Sequence, residues 1–558
     1  MIDLTEEAAD TLEPIAIDLT VTDARNLPVG YLVINKVLIQ GTCYEKGDFV
    51  EVMHTTLGSQ AVDFIRLEFI AENSHRQRLL RGVPYTRTRQ LKGEMQMKLN
   101  EVCLLYYIDQ SAESKDPVLV GVDENLVVRK RHLIVTNAPK PDHNPASTSQ
   151  GGKRHQIKRH GPLVCRWTKK LYFTMRGRTM KINEVAFARM RSSDCSHVGY
   201  RVQESKLRGE WRGSQPVRQA PNPFHKYTLF DAFCGAGGVS RGADMAGFDV
   251  VHAMDKNDRA CETYRLNFPG TKLHQMTVHD FIVSAGHIRT DVLHLSPPCQ
   301  PFSPAHTHES IHDDENMDAF LGSCQLIDKI RPRMVTLEET FGIGFDRHRN
   351  YLRAVISHLT YRGYSVRWRP RFRLCTWGCA QDRERLVMIA AGPGEELPYF
   401  PKASHSETGG GGTKPFTSFG QAIAGISSRD DHHNIRALGT FPMPRMPLDA
   451  SRLVKTITTS SSELYHPSGR RVLSVRELAC LQGFPHHHRF VGTRTDIRRQ
   501  IGNAFPPNTV KVLYRHLKKC LMREDGLLPM AGGVEDYEGV IRIEDDLPVT
   551  GRLVIDLT

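Results

Sequence analysis

One cysteine of this chain lies in a setting suited to nucleophilic chemistry. Cys299 stands in the middle of the sequence SPPCQPFS, directly after the apolar run DVLHL. The two preceding prolines restrict the backbone that leads into the thiol. A thiolate attacks electrophilic carbon when nearby positive charge or a helix terminus stabilises the anion. A buried, unreactive thiol is the usual alternative for a single cysteine, but the flanking residues are too specific for that alternative. We therefore expect Cys299 to be a nucleophile at the end of a buried strand.

A glycine-rich turn and a nearby carboxylate are typical of a site for a nucleoside. Asp231 and Phe233 precede Gly235 and Gly237 in the sequence TLFDAFCGAGG, where a strand-like segment runs into a turn. Glycines there let the backbone approach a ligand and open the following helix, although the turn alone fits any tight strand-to-helix connection equally well. Asp255 ends the next apolar segment, where an acid can hold ribose hydroxyls. An acid at the start of a helix is the ordinary alternative for Asp255.

The segments around these residues alternate between strands and helices from Tyr227 onward. Apolar runs such as TLFDAF, DVVHAM, DVLHLS, MVTLE and LVMIAA are separated by helix-like runs such as RGADMAG and RACETYRLNF. This alternation predicts an α/β fold with a parallel sheet. Ligands of such sheets bind beyond the carboxyl ends of the strands, so we expect the turn and Cys299 to lie at that edge.

The N-terminal part of the chain has a different pattern. Short runs rich in β-branched residues, such as FVEV, FIRLEFIA and EVCLLYYID, extend from about residue 47 to 137 and predict a twisted sheet or small barrel. A Pro/Ser/Gly-rich stretch with basic residues follows and is typical of a linker or mobile loop. Further β-like runs, LYFTM and VAFARM, come before residue 215.

The composition is that of a globular chain with a polyanionic partner. Its 558 residues, enough for three or four domains, are 40% hydrophobic and 24% charged, which excludes wholesale disorder. The formal net charge is +12 although both ends are acidic, so the body between them is strongly basic. Nucleic acid is the first candidate partner, and an ordinary solvated surface is the alternative. The start MIDLTEEAAD does not resemble a signal peptide, and no apolar run approaches the ~18 residues of a membrane span. We expect a reduced intracellular protein with no membrane contact.

Six motifs in order give residues 227 to 520 a clear resemblance to the DNA (cytosine-5) methyltransferases. They are DAFCGAGG, SPPCQPFS, LEETFG, QDRER, RRVLSVRELACLQGFP and QIGNAFPP. The resemblance implies an α/β, Rossmann-like methyltransferase domain that uses S-adenosyl-L-methionine, with a small target-recognition region. It also implies double-stranded DNA as the substrate, with the target cytosine flipped out of the stack.

The family's site residues map onto this chain through those motifs. By resemblance, Cys299 attacks C6 of cytosine, Glu338 holds N3 and the exocyclic amine, and Arg383 and Arg385 lie at the base carbonyl. Gln300 and Ser303 would belong to the substrate loop. The resemblance assigns cofactor binding to eight further residues: Asp231, Phe233, Gly235, Gly237, Asp255, Asp280, Pro298 and Asn503.

Three departures from the family pattern narrow the resemblance. Glu339 and Thr340 stand where the family has Asn and Val after the catalytic glutamate, the target-recognition region is short, and the loop after Cys299 has no glycine before Gly322. With the N-terminal β module, which is similar to a bromo-adjacent-homology (BAH) domain, the first two departures resemble the fungal RID-type methyltransferases. That likeness implies a nuclear protein that silences repeated DNA, with a nucleosome or histone as a possible ligand of the BAH-like module. A catalytically weak chromatin scaffold is the alternative function, and a tRNA cytosine-5 methyltransferase is the less favoured one.

The termini carry short apolar runs flanked by acids. Segments that begin at Ile2, Ile17, Val540 and Val554, and end at Thr5, Thr20, Ile543 and Thr558, resemble SUMO-interacting motifs. Such a segment can add a strand to a sheet edge of a basic partner, so SUMO or SUMOylated proteins are expected partners, with a plain disordered tail as the alternative. No metal is expected, because the histidines at 306, 308 and 312 and the cysteines at 375 and 379 lack paired ligand spacing.

These observations divide the chain into eight segments. They are an acidic tail with the SUMO-interacting-like motifs (1–25), the β-rich BAH-like domain (26–137), a basic linker (138–162), a second divergent BAH-like or connecting segment (163–220), the catalytic methyltransferase domain (226–395), the target-recognition region (396–465), the C-terminal part of the catalytic domain (466–525) and an acidic tail with further such motifs (526–558).

Overall fold

The computed structural model describes most of the chain, which forms two compact units. The described residues are 15–16, 29–57, 60–112, 117–138, 154–176, 179–196, 198–213, 226–298, 302, 313–459 and 464–529. The first unit holds those up to Leu207 together with Ile356–Arg367, and the second holds those of Arg208–Val355 and those from Trp368 onward. No helix within these ranges has the length and apolar character needed to cross a membrane.

Strands dominate the N-terminal part. They are β1 (Ile15–Ala16), β2 (Tyr31–Ile34), β3 (Lys36–Ile39), β4 (Thr42–Glu45), β5 (Phe49–Leu57), β6 (Gln60–Asn73), β7 (Arg78–Arg87), β8 (Glu101–Asp109), β9 (Val120–Asp123), β10 (Val127–Arg131), β11 (Leu133–Val135), β12 (Leu163–Arg176) and β13 (Thr179–Arg189).

Later strands alternate with helices. They are β14 (Thr228–Ala232), β15 (Asp249–Asp255), β16 (Lys272–Gln275), β17 (Val292–Leu295), β18 (Met334–Thr340), β19 (Ser365–Arg373), β20 (Gln381–Asp382), β21 (Glu384–Ala391), β22 (His405–Ser406), β23 (Lys414–Pro415) and β24 (Val454–Lys455). The α-helices are α1 (Arg154–His160), α2 (Glu204–Arg212), α3 (Gly238–Asp244), α4 (Asp258–Asn267), α5 (Val278–Ser284), α6 (Asp313–Ile330), α7 (Arg349–Tyr361), α8 (Phe419–Ile423), α9 (Val475–Leu481), α10 (Arg494–Asn503) and α11 (Pro507–Glu524).

The first unit is a sheet that is covered on both faces. Strand β6 pairs antiparallel with β2, β5 and β7, and β7 pairs with β8. Phe64 and Leu104 belong to one cluster of buried residues, whereas their neighbours Ile65 and Leu105 belong to another. Because successive side chains of a strand point to opposite faces, both faces of these strands are buried. The predicted β-rich character is therefore confirmed, while the likeness to a BAH domain stays a prediction.

The same sheet continues past the predicted linker. Strand β12 pairs in parallel with β8 and antiparallel with β13, so residues 163–189 extend the sheet that begins in the predicted 26–137 module. Helix α1 forms within the predicted linker at 138–162.

The second unit contains the predicted α/β sheet. Strands β16, β15, β14, β17 and β18 lie side by side in that order, and each pairs in parallel with its neighbours. One expectation was wrong, because the run LVMIAA in β21 is antiparallel to β18. Strand β21 also pairs with β19. The residues between those two strands form only a short 3₁₀ turn and β20, which is too little for the crossover connection, usually a helix, that a parallel pair needs.

Helix α11 shares a hydrophobic core with the sheet and packs closely on α3. Its start follows from the sequence NAFPP, since α10 ends at Asn503 and proline is tolerated only in the first turn of the next helix. A Cβ built on Gly242 of α3 would lie 2.4 Å from Cβ of Val510 and 2.5 Å from the carbonyl oxygen of Pro507. Only glycine permits this approach, and the two helices share one core with the parallel strands.

A buried ion-pair network attaches the end of α11 to the sheet. Arg333 precedes β18 and places Nε 2.8 Å from Glu395 Oε1 and Nη1 2.9 Å from Asp525 Oδ2. The Tyr227 hydroxyl donates to the same Asp525 oxygen at 2.8 Å. The carboxylates of Glu395 and Asp525 raise the pKa of Arg333 above its usual value and outweigh burial, the largest single influence, which acts to lower it.

Removing this arginine is expected to destabilise the second unit strongly. Arg333→Met would leave two carboxylates buried without their cation, which costs roughly 3–5 kcal/mol of unfolding free energy. Chemical denaturation measures the loss. Arg452→Met is the matched control, because Arg452 pairs with Asp449 at 3.1 Å with an 82% exposed side chain and should change stability by less than about 1 kcal/mol. Equal effects of the two substitutions would contradict the role given to Arg333.

Candidate active site

A cavity of the second unit lies at the carboxyl ends of the parallel strands. It has a volume of about 780 Å³, a size typical of small-molecule sites. Side chains and turns that follow β14, β15, β16 and β17 line it together with β18 and α10. Seven of the residues singled out in the sequence meet at its wall: Asp231, Phe233, Gly235, Asp255, Pro298, Glu338 and Asn503.

The turn after β14 is wound by residues with positive φ. Phe233 has φ +61°, Gly235 φ +52° and Gly237 φ +85°. A Cβ on Gly235 would meet no atom within 4 Å, because the residue faces open space at the cavity, whereas one on Gly237 would lie 2.4 Å from the ring of Phe268. Gly235 thus lets a ligand approach the backbone, and Gly237 lets the turn pack and does not line the cavity. The left-handed conformation of the non-glycine Phe233 is a strained one of the kind that occurs at functional sites.

Asp231 is a buried carboxylate with one oxygen available to a ligand. Its Oδ2 accepts hydrogen bonds from the Ser240 amide at 3.0 Å and the Ser240 hydroxyl at 2.6 Å. Its Oδ1 is buried and has no hydrogen-bond partner among the described residues. Burial raises the pKa of Asp231 to about 7, against the lowering influence of the two Ser240 hydrogen bonds. A donor or cation in the cavity would satisfy Oδ1.

Asp255 shapes the same turn from the neighbouring strand. Its Oδ2 accepts from the Gly235 amide at 2.8 Å, and its Oδ1 accepts from the Asn257 amide at 2.8 Å. Burial raises the pKa of Asp255, and these backbone donors oppose the rise. Both oxygens therefore hold backbone while the residue lines the cavity.

Strand register places a glutamate–arginine pair at the cavity wall. In the antiparallel pairing of β18 with β21, Thr340 lies opposite Arg385, so Arg385 projects from the same face of the sheet as Glu338, two residues along β18. Arg385 Nε lies 2.8 Å from Glu338 Oε1, with side chains that are only 12% and 9% exposed. Water screens such a pair poorly, so the two groups orient one another.

Two further residues of the QDRER motif, Gln381 and Arg383, are structural. Gln381 donates to the Leu481 carbonyl at 3.0 Å and accepts from the Ile457 amide at 2.8 Å. Arg383 donates to the carbonyls of Ile457 at 2.8 Å and Gly502 at 3.0 Å. Arg383 therefore fixes the segment that ends at Asn503 and does not line the cavity.

Glu339 points away from Glu338. Its side chain is fully buried on the opposite face of β18, where Oε1 accepts from the Thr340 amide at 2.7 Å. Its Oε2 has no hydrogen-bond partner among the described residues. Burial raises the pKa of Glu339 well above its ordinary value, and the charge of Glu338 acts in the same direction. Burial of Glu339 therefore favours its protonated form.

A chain of buried hydrogen bonds supports the segment that leads to Cys299. Ser296 lines the cavity, and its hydroxyl lies 2.6 Å from His294 Nε2. His294 Nδ1 lies 2.8 Å from the Thr336 hydroxyl, which lies 2.9 Å from the Tyr514 hydroxyl of α11. Burial lowers the pKa of His294 to about 3, so the ring is neutral and has one donor and one acceptor nitrogen for these contacts. Sequence reading missed His294, although a histidine inside the apolar run DVLHL was the available signal.

The predicted nucleophile, Cys299, lies outside the described residues, as do Gln300 and Ser303. The described chain reaches Pro298 at the cavity wall. Phe302 is described and fully buried, with ring centroids 5.2 Å from Phe320, 5.3 Å from His348 and 5.6 Å from Tyr351. In the sequence, the nearest described residues on either side of Cys299 are therefore Pro298 at the cavity wall and the buried Phe302.

The structure does not bring Asp280 to the cavity wall. Asp280 lies at the start of α5, where its carboxylate accepts from the Thr277 hydroxyl at 2.7 Å as part of the helix cap. Its neighbours Thr277, Val278 and His279 line the cavity instead. Polar residues that sequence reading missed also line it: Lys256, Asn257, Arg259, Asp318, Gln325, Asp496, Arg499 and Gln500.

The motif RRVLSVRELACLQGFP builds a helix start beside the site. Ser474 and Glu477 form a capping box at the N-terminus of α9. Arg471 contacts both Glu477 oxygens, at 2.8 and 2.7 Å, and Arg476 donates to the His488 carbonyl at 3.0 Å. These residues position α9 and the following turn.

The comparisons agree with this geometry. A family model described as C-5 cytosine-specific DNA methylase matches residues 227–410 and 417–519. The type II methyltransferase M1.HphI of Haemophilus parahaemolyticus is 28% identical over 313 residues, which cover 50% of this chain and 83% of that protein. M.NgoMIV of Neisseria gonorrhoeae is 26% identical over 330 residues, 54% of this chain and 100% of that one. Mouse DNA (cytosine-5)-methyltransferase 1 is 30% identical over 199 residues, 32% of this chain and 12% of that protein.

The buried Glu339 makes a testable contribution to stability. Because its pKa is raised in the fold, the folded chain keeps a proton that the unfolded chain releases above the ordinary value of 4.5. The wild type therefore loses stability as pH rises above that value. Glu339→Gln is isosteric with the protonated acid and does not titrate. Its free energy of unfolding relative to the wild type should rise between pH 5 and pH 8, by about 1.4 kcal/mol for each unit over which the fold keeps the proton.

Urea denaturation at both pH values measures this difference. Glu262→Gln, at a 42% exposed side chain on α4, is the control and should show a small difference that does not change with pH. A constant difference for Glu339→Gln would show that Glu339 is ionised in the folded chain.

Proposed function

The chain belongs to the family of C-5 cytosine-specific DNA methylases, and from this premise we propose that it methylates C5 of cytosines in double-stranded DNA. The observation that carries the proposal is that Glu338, oriented by Arg385 at 2.8 Å, lines the same cavity as the turn after β14. A carboxylate for the base and a pocket for a nucleoside cofactor are thereby parts of one space. Pro298, one residue before Cys299, lines it too.

The cofactor of this family is S-adenosyl-L-methionine, and the residues present fit it. The cofactor carries a sulfonium and an ammonium group, and the cavity is lined by Asp231, Asp255, Asp318 and Asp496. The unpartnered Oδ1 of Asp231 is suited to the ammonium, and Gly235 leaves room for the methionine part beside the turn. When bound, the cofactor supplies an electrophilic methyl group.

The chain's own residues prepare the cytosine. The flipped base enters the cavity at a cost of a few kcal/mol for leaving the stack. Cys299 forms a bond from its sulfur to C6, and the electrons of the C5–C6 double bond make C5 nucleophilic. Glu338 binds N3 and the amine, and Arg385 binds the carbonyl oxygen as negative charge builds on the ring. Once C5 carries the methyl group, its proton leaves to a base, the double bond re-forms and the Cys299 sulfur is expelled.

We extend the proposal to the biological role. The chain would methylate and silence repeated DNA in a fungal nucleus, as its likeness to the RID-type enzymes implies. The β-rich first unit supports a docking module for a nucleosome or histone, although the likeness to a BAH domain is one of pattern. The four SUMO-interacting-like segments would recruit SUMO or SUMOylated proteins; they lie outside the described residues. Binding of recombinant nucleosomes and SUMO to the full chain tests these two partners separately.

Mechanism-based trapping tests the chemistry. Duplex DNA with 5-fluorocytosine cannot lose a proton from C5, so Cys299 should stay bonded to the base and give a covalent adduct in denaturing gels when S-adenosyl-L-methionine is present. Cys299→Ala should abolish the adduct. Glu338→Gln should slow its formation by about 100-fold or more, as expected for a lost charge-stabilising group.

Three outcomes would contradict the proposal. An adduct that persists in Cys299→Ala would exclude this nucleophile. An adduct with 5-fluorocytosine tRNA but not with duplex DNA would point to the tRNA alternative. DNA and cofactor binding without any adduct would favour the scaffold.

Cofactor binding should depend on the charge of Asp231. Because its pKa is about 7 in the free chain, lowering the pH from 7.5 to 5.5 protonates the carboxyl and removes the anion that faces the ammonium group. The affinity for S-adenosyl-L-methionine should fall roughly tenfold or more. Isothermal titration calorimetry measures the fall together with the proton release that accompanies binding at low pH.

Asp231→Asn separates this effect from others. The asparagine can still accept the Ser240 hydrogen bonds, so the turn should keep its shape. Its affinity should be low at all pH values and vary little between 7.5 and 5.5. A variant with the same pH dependence as the wild type would assign the titration to another group.

A further inference from the structure

The first unit contains a basic pocket that has no part in the proposed chemistry. Its volume is about 280 Å³. The lining consists of five basic side chains, two acidic ones and a single apolar one: Arg87, Arg89, Arg129, Lys158, Arg159, Glu51, Asp63 and Val52.

The two acids are already engaged at the floor of this pocket. Glu51 is contacted by Arg87 at 3.2 Å, Arg129 at 2.8 Å and Arg131 at 2.8 Å. Burial acts to raise the pKa of Glu51, but the hydrogen bonds from Arg129 and Arg131 outweigh it and hold the pKa below its ordinary value. Glu51 is therefore an anion that joins three cations, and it neutralises only part of their charge.

Asp63 is occupied by the backbone. Its Oδ2 accepts from the Arg87 amide at 2.7 Å and from the Thr86 hydroxyl at 3.3 Å. Among the described residues, neither acid of the lining forms an ion pair with the rim cations Arg89, Lys158 and Arg159.

The helix that supplies two rim cations is fixed to the sheet. Arg131 donates to the Gly161 carbonyl at 2.9 Å and the Lys158 carbonyl at 3.4 Å, at the end of α1. Asn100 donates to the Ile157 carbonyl at 2.6 Å. These bonds satisfy carbonyls that the helix end leaves open, and they hold Lys158 and Arg159 beside the pocket.

The rim cations have no acidic partner within the described ranges. Arg89 and Arg159 are exposed, Lys158 is half-buried, and no ion pair joins any of them to a described carboxylate. With Val52 as the single apolar residue of the lining, the pocket has little surface for a peptide side chain. Its chemistry suits a ligand with several anionic oxygens.

We propose that this pocket binds the phosphate backbone of DNA and gives the chain a DNA contact in addition to the catalytic cavity. The choice of DNA as the source of the phosphates rests on the proposed function. The pocket itself favours a polyanion, because it has more cations than one phosphate group needs and presents them on β7, β10, α1 and the turn after β7. Contacts of this kind set affinity and its salt dependence, not sequence preference.

Charge reversal at the rim tests the proposal. A fluorescent duplex is titrated with the full chain over a range of salt concentrations, without cofactor. Arg89→Glu and Arg159→Glu should each weaken binding by about tenfold at low salt and reduce the slope of log affinity against log salt by about one. Arg201→Glu is the control, because Arg201 is exposed on the same unit, does not line the pocket and changes the net charge equally. Its affinity should stay close to that of the wild type, and thermal unfolding verifies that all three variants fold.

The alternatives give different results. An equal loss of DNA affinity in Arg201→Glu would reveal a general charge effect and overturn the proposal that the pocket binds DNA. Duplex binding that is unchanged in the rim variants would overturn it as well, and a phosphoserine peptide bound by the wild type and lost in those variants would identify a protein ligand instead. Methyl transfer by the wild type is assayed separately. Its absence, with the rim effect intact, would contradict the proposed function and leave this DNA contact standing.

Discussion

The antiparallel register between β18 and β21 is the constraint on which the site depends. It sets Arg385 on the face of Glu338 and turns Glu339 to the other face, where burial raises the pKa of that side chain. A slip of one residue would exchange the two glutamates between the faces and separate Glu338 from Arg385. Arg383 lies directly before β21, and its hydrogen bonds to the carbonyls of Ile457 and Gly502 connect the start of this strand to the end of α10. The strand pairing and the bonds of Arg383 together position Glu338 and Asn503 at one cavity.

The carboxylates that line the cavity differ in their hydrogen-bond partners. Asp255 gives both oxygens to backbone amides and serves the shape of the turn, whereas Asp231 gives one oxygen to Ser240 and keeps the other for the cavity. Glu338 forms an ion pair with Arg385. Because each acid has a different set of partners, the acids can share one wall without equal electrostatic cost. This arrangement fits a cationic cofactor next to a base on which negative charge develops.

Much of the second unit could be predicted from the sequence, since its strands are short apolar runs and the predicted ligand residues lie near the carboxyl ends of those runs or in the turns that follow. The direction of β21 could not be predicted, because the run LVMIAA has the same hydropathy in a parallel and in an antiparallel strand. Asp280 shows a second limit: a Thr-x-x-Asp spacing serves a helix cap as well as a ligand, and only coordinates separate the two. Arg383 shows a third, because the carbonyls it binds come from distant segments. The basic pocket could not be found at all, as its lining is drawn from strands and a helix that are far apart along the chain.

The contact of Gly242 with Val510 and Pro507 has a consequence for how the protein is made. The turn that lines the cofactor cavity emerges from the ribosome early in the second unit, yet α11, which packs on the helix after that turn, is translated much later. Asn503 and Arg385 also follow the turn by long stretches of sequence. A partly synthesised chain thus has the glycine turn but neither the far wall of the cavity nor the helix that supports it. Cofactor capture is then expected only after α11 has been translated, and the cofactor's stabilising effect acts only on chains that include this helix.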